Sequence, residues 1–234
     1  GGLALALARS PRAKAVIASA RDRWFLPGTV GDLGIALIAI WLVVQVNPGI
    51  PLFATIYDPA SPPGARGVEP DLAAIVVEGA HSAFQLLGVG LFLALLLRER
   101  RYVGGAALLL VGAAALVKGI AAAVLLRPAA WENWLAPSVS LGVAAGSLLL
   151  SVAIWLPRPA QVTLAAVALL SSLLATVLLP DLVFARAPVG LFNGPYGHLL
   201  NFNGLTHTVL LLWPAVASAF LFALAGRPRW GDPR

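Results

Sequence analysis

The chain has no cysteine, which excludes a disulfide framework and any thiolate-held metal. It has no methionine either, even at position 1; the expectation is a fragment or processed product of a longer protein. Charge is scarce. Only 11% of the 234 residues are charged, where about a quarter is usual for soluble domains. The sequence contains no HExxH or comparable histidine spacing, no phosphate-cradling glycine loop, no GxSxG and no dinucleotide fingerprint. No metal site and no cofactor are therefore expected. The net charge of +6 would suggest nucleic acid in a soluble chain. Here the cations read as topology markers instead, and no nucleic-acid partner is expected.

What is present is apolar length. Hydrophobic residues make up 59% of the chain, and the runs reach the ~20 residues that cross a ~30 Å hydrocarbon slab. They cover 30–46, 72–97, 102–126, 137–156, 159–179 and 204–225. "NPGIP", "RERR", "RPAAWENWLAP", "LPRPAQ" and "LPD" punctuate them. The runs are too long for barrel strands and do not alternate. The expected fold is an all-α polytopic transmembrane helix bundle of six full spans, plus the end of an upstream helix at 1–8 ("GGLALALA"). In this reading 9–29 is a basic cytoplasmic linker, 30–226 the membrane domain and 227–234 a cytoplasmic tail.

Charge placement orients the bundle. Twelve Lys and Arg fall in 9–27, 98–101, 157–159 and the C-terminal tail, against three (Arg66, Arg127, Arg186) on the opposite side. By the positive-inside rule both termini are cytoplasmic, and the long Pro- and Gly-rich loops after the first and fifth runs lie outside. Trp24, Trp131, Trp134, Trp155 and Trp230 stand at run ends, where indoles favour the interface. Phe53 and Phe192, in "IPLF" and "VGLF", are expected to tuck back toward the helix bundle or the lipid interface.

The chemistry concentrates in "VEGAHSAFQLLGVGLFLALLLRERR". Glu78, His81, Ser82 and Gln85 fall within a ~100° arc of one helix, and Asp71 projects onto the same stripe. Below Gln85 the stripe becomes Val89 and Phe92 and stays apolar. This suits a pocket open to the outer side better than a through-pore, and it argues against alternating access around a mid-membrane site. The next run carries Lys118 in its outer half, at a depth matching Glu78, and a Glu78–Lys118 ion pair is expected, fixing helix register. The functional alternative has Glu78, His81, Gln85, Lys118 and His207 binding an outer-leaflet head group. Intramembrane ionisable residues favour protein- or water-facing positions of either kind. Two small-residue patterns mark close helix approach: Gly105, Gly112 and Gly119 at seven-residue spacing, and "GVAAG" at 142–146.

The stretches "WLVVQVNPGIPLF", "EGAHSAFQLLGVGLFLALLLR", "WENWLAPSVSLGVAAG", "WLPRPAQV" and "LLNFNGLTH" resemble proteobacterial members of the VanZ-like family, in which a short helical core precedes a second set of helices. The resemblance implies a C-terminal portion whose partners include the missing upstream core helices. "GGLALALA" is similar to the tail of the last core helix, and none of the core's own residues can be carried over. It also implies the bacterial inner membrane and envelope biology of the kind that gives glycopeptide tolerance. The expected function is binding or organising outer-leaflet lipids or a lipid-linked envelope intermediate, without established catalysis. The alternative is a membrane enzyme acting on a lipid-linked substrate at the extracytoplasmic face, with Glu78 or His81 as acid/base.

Overall fold

A computed structural model describes residues 10–46, 72–125, 137–178 and 199–227. Among these, the regular elements are seven α-helices and one 3₁₀ turn: α1 (Pro11–Trp24), α2 (Gly28–Val44), α3 (Leu72–Leu96), the turn Arg100–Tyr102, α4 (Val103–Leu125), α5 (Pro137–Ala153), α6 (Arg158–Leu178) and α7 (Leu199–Ala225). Helices are the expected outcome, because a lipid-exposed backbone must satisfy its own hydrogen bonds. The only pairing outside helices among the described residues is an isolated bridge, Phe25 to Leu97.

Helices α2 to α7 coincide with the six apolar runs. Four segments are long and apolar enough to cross a membrane: Ile75–Leu96, Arg100–Ala121, Arg158–Leu178 and Thr208–Ala225. Gly28–Val44 and Ser138–Ala153 are shorter; 17 residues rise ~25 Å at 1.5 Å per residue, less than the ~30 Å slab. The segment read as a linker contains the 14-residue helix α1.

Helix α3 is the centre of the bundle. It packs mainly against α5 and α6, while α7 bridges α6 and α2. The core below the polar stripe is aromatic. Phe92 meets Trp213 and Phe220 at ring-centroid distances of 5.7 and 5.6 Å, and Trp213 meets Trp41 at 6.4 Å, within the range of favourable tilted ring pairs. The Trp213 Nε1–H donates to the Leu37 carbonyl at 2.8 Å, satisfying the indole's one polar group and tying α7 to α2.

At the basic end the chain is clamped. Leu26 N–H donates to Leu96 O and Arg98 N–H to Trp24 O, both at 2.9 Å. Gly28 has φ +75°, a conformation that costs glycine little, and it lets α2 start immediately after this clamp. Arg21 reaches Asp32 Oδ1 through Nε at 3.0 Å and Gly28 O at 2.8 Å. Its hydrogen bonds to Asp22 and Asp32 raise the guanidinium pKa further, so this joint keeps its charge at any physiological pH.

Candidate functional site at the polar end of the bundle

Twelve polar or charged side chains are buried among the described residues, and ten of them lie toward one end. That end is where α3, α5 and α7 begin and α2, α4 and α6 finish. The ten are Gln45 on α2, Glu78, His81, Ser82 and Gln85 on α3, Lys118 on α4, Ser138 on α5, Ser172 and Thr176 on α6, and Thr206 on α7. Each helix from α2 to α7 contributes at least one. The other two, Gln161 and Ser218, satisfy backbone carbonyls near the opposite end or mid-helix.

Glu78 is the anchor of this layer. Its Oε2 accepts a 2.6 Å hydrogen bond from Ser138 Oγ, and the Ser82 hydroxyl folds back to the Glu78 carbonyl at 2.9 Å. Ser138 is the second residue of α5. The carboxylate thus sits against the first turn of a helix, where unsatisfied N–H groups and the helix dipole favour negative charge. This arrangement depends on a close approach of α3 and α5. A Cβ added at Gly142 would lie 2.4 Å from Gly79 O and 2.5 Å from Ser82 Cβ, and one at Gly146 would lie 2.9 Å from Ala83 O. The "GVAAG" patch is therefore a packing surface, as expected. Gly105 and Gly112 behave otherwise: both are exposed, and a Cβ there meets nothing within 4 Å.

His81 lies one turn further along α3 and faces α6. Ser172 Oγ is 3.5 Å from His81 Nε2, a long contact for a hydrogen bond, and Thr176 Oγ1 donates to the Ser172 carbonyl at 3.0 Å. The other ring nitrogen, Nδ1, is buried with no hydrogen-bond partner among the described residues; so is Gln45 Oε1. Gln45 uses its Nε2 on Trp41 O at 3.3 Å. Leaving such an atom buried and unmatched costs ~1–3 kcal/mol, so a polar ligand or water contacting it recovers that free energy.

Lys118 is buried on the inward stripe of α4 with Leu110, Ala114 and Ala121. Depth matching places Glu78 and Lys118 at one level, and the hydrogen bond from Ser138 shows that Glu78 is turned toward α5. Ion pairs at the basic end join Arg21 to Asp22 and Asp32, and Arg101 to Glu99. Gln85 is buried at the middle of α3. His207 stands on α7, but its side chain lies outside the described residues, as do Asp71, Phe53, Phe192 and the long loops that carry them.

Ser138, Ser172 and Thr176 were not singled out from the sequence. Their signal in the sequence is weak: hydroxyl residues four apart within the apolar run of α6, and a serine opening α5 beside the glycine patch, patterns that by themselves mark no partner. Among the described residues no group of three or more His, Asp or Glu is placed to hold a metal ion.

No family model, curated protein or solved structure matches this chain. The likeness to the VanZ-like family rests on the sequence stretches alone.

Proposed function

We propose that this chain is a VanZ-like inner-membrane protein in which α2 to α7 all cross the bilayer, both termini are cytoplasmic, and the polar layer at the outer end binds the head group of an outer-leaflet lipid or lipid-linked envelope component. The twelve-to-three distribution of cations supports the orientation. The binding reading is carried by one observation: His81 presents a buried, unmatched ring nitrogen beside the Glu78–Ser138 pair. Buried polar atoms in a membrane domain are normally satisfied, and a ligand hydroxyl or amide would complete this one.

The enzymatic reading draws on the His81–Ser172 approach, since an imidazole beside a hydroxyl is the start of a nucleophile–base pair. Among the described residues it lacks a third member. Glu78, the nearby carboxylate on the same helix, is turned to Ser138 and does not orient His81. Binding without covalent chemistry is therefore favoured.

The test is lipid retention by the intact protein, extracted with its native lipids and analysed by mass spectrometry. The wild type should enrich a polar lipid class over bulk membrane. His81→Ala and Glu78→Gln should lower that enrichment by up to about tenfold, the worth of one lost hydrogen bond, with folded yield unchanged. Variants that reduce only folded yield would assign the layer a purely structural role.

A further inference from the structure

Helix α1 is amphipathic and basic, and among the described residues its joint to the bundle is at its C-terminal end. Its last turn is locked by the Phe25–Leu97 bridge, by the Arg98 guanidinium donating to Asp22 O at 2.6 Å, and by Arg21 on Asp32. Trp24 rests beside Tyr102 at 6.3 Å. The joint therefore sits level with the turn carrying Arg98, Arg100 and Arg101, where α3 ends and α4 begins. Two membrane-crossing segments meet there, so this level is a bilayer–water boundary.

The rest of α1 makes no extensive packing with another described helix. Val16, Ala20 and Trp24 recur every four residues and so share a face. Val16 is 68% exposed and Trp24 41% exposed. With Ala15, Ser19 and Arg23 they line an open hollow of ≈ 370 Å³. The sequence of α1 carries Arg12, Lys14, Arg21 and Arg23 against Asp22 alone. An exposed apolar strip next to a cation, tethered at the membrane boundary, is the pattern of a helix lying in the interface. The basic excess complements anionic lipid phosphates, which attract such segments by about 1 kcal/mol per cation, or about fivefold.

We infer that α1 is an interfacial lipid sensor: its Val16–Ala20–Trp24 face docks into the leaflet at the basic end of the bundle, and Arg23 engages anionic head groups. The site is at the opposite end from the polar layer and stands independently of it.

The absence of cysteine makes the test direct. Val16→Cys on the docking face and Ala18→Cys, about 160° away in register by helix geometry, are labelled with an environment-sensitive fluorophore in the full chain. Each protein is reconstituted in nanodiscs of phosphatidylcholine alone or of phosphatidylcholine with phosphatidylglycerol. The label at 16 should be quenched by nitroxide lipids and shielded from an aqueous quencher, while the label at 18 stays open to water. Phosphatidylglycerol should shift the label at 16 toward the docked state, and Arg23→Gln should reduce that shift by about fivefold. Equal aqueous access at 16 and 18 in the anionic discs overturns the proposal. Shielding at 16 from both quenchers also overturns it, because protein rather than lipid would then cover the face.

Discussion

Helices α3 and α4 are neighbours joined by one short turn, and both are long and apolar enough to cross a membrane. Their membrane-crossing segments are 22 residues each. Yet 78% of the α3 window is buried inside the protein against 17% of the α4 window. Leu108, Leu109, Leu116 and Ile120 of α4 are exposed, whereas Val89, Leu91, Phe92 and Leu95 of α3 are enclosed. Both helices carry glycines. Gly88 and Gly90 of α3 lie against Leu169 and Leu150, and Gly142 and Gly146 of α5 lie against Gly79, Ser82 and Ala83 of α3, whereas a Cβ at Gly105 or Gly112 of α4 meets nothing within 4 Å. A glycine brings two membrane helices together only where the facing surface fits it, since packing, not hydrophobicity, drives association in lipid.

The sharpest way to break this contrast is at the glycines themselves. Gly142→Ala should lose about 3 kcal/mol, the upper part of the overpacking range, because the new methyl meets the Gly79 carbonyl and a Cβ rather than a flexible side-chain tip. Equilibrium unfolding in mixed micelles reads this; a wild-type midpoint would show that α3 and α5 are not in close contact. A second effect probes what the close approach holds in place. Glu78→Ala and Ser138→Ala should each cost ~1–3 kcal/mol by stranding a buried polar group. Their double mutant should fall short of the sum by at least ~0.5 kcal/mol, and strict additivity would dissolve the pair. Smaller still, Trp213→Phe keeps most of the ring packing but removes the bond to Leu37 O, for an expected loss of ~1 kcal/mol. The smallest effect belongs to α4. Gly112→Ala should stay within about 0.5 kcal/mol of wild type, as for substitutions at open surfaces. A loss comparable to Gly142→Ala would show that α4 has a partner on that face.

Much of the site was legible before any coordinates. Glu78, His81, Ser82 and Gln85 share a stripe because helical periodicity fixes their azimuths relative to one another, and burial of all four follows from the expense of polar groups in lipid. The partners were not legible. Ser138, Ser172 and Thr176 are ordinary hydroxyl residues in apolar runs, where such side chains often bond their own helix backbone, as Thr163 does with Pro159 O. Only their placement opposite Glu78 and His81 distinguishes them. Rise per residue gives the depths of Glu78 and Lys118, but nothing in a single helix gives its rotation against a neighbour.

The sequence by itself determined that the chain is helical and membrane-embedded, and where each apolar helix begins and ends within a few residues. Hydrocarbon thickness and the need to satisfy the backbone leave few alternatives. Tertiary structure decided which faces meet. Lipid and protein interior are equally apolar, so hydropathy does not choose the partner of an apolar helix face. The choice was made by steric fit between Gly142, Gly146 and the facing residues of α3, and that fit brings Glu78 to Ser138.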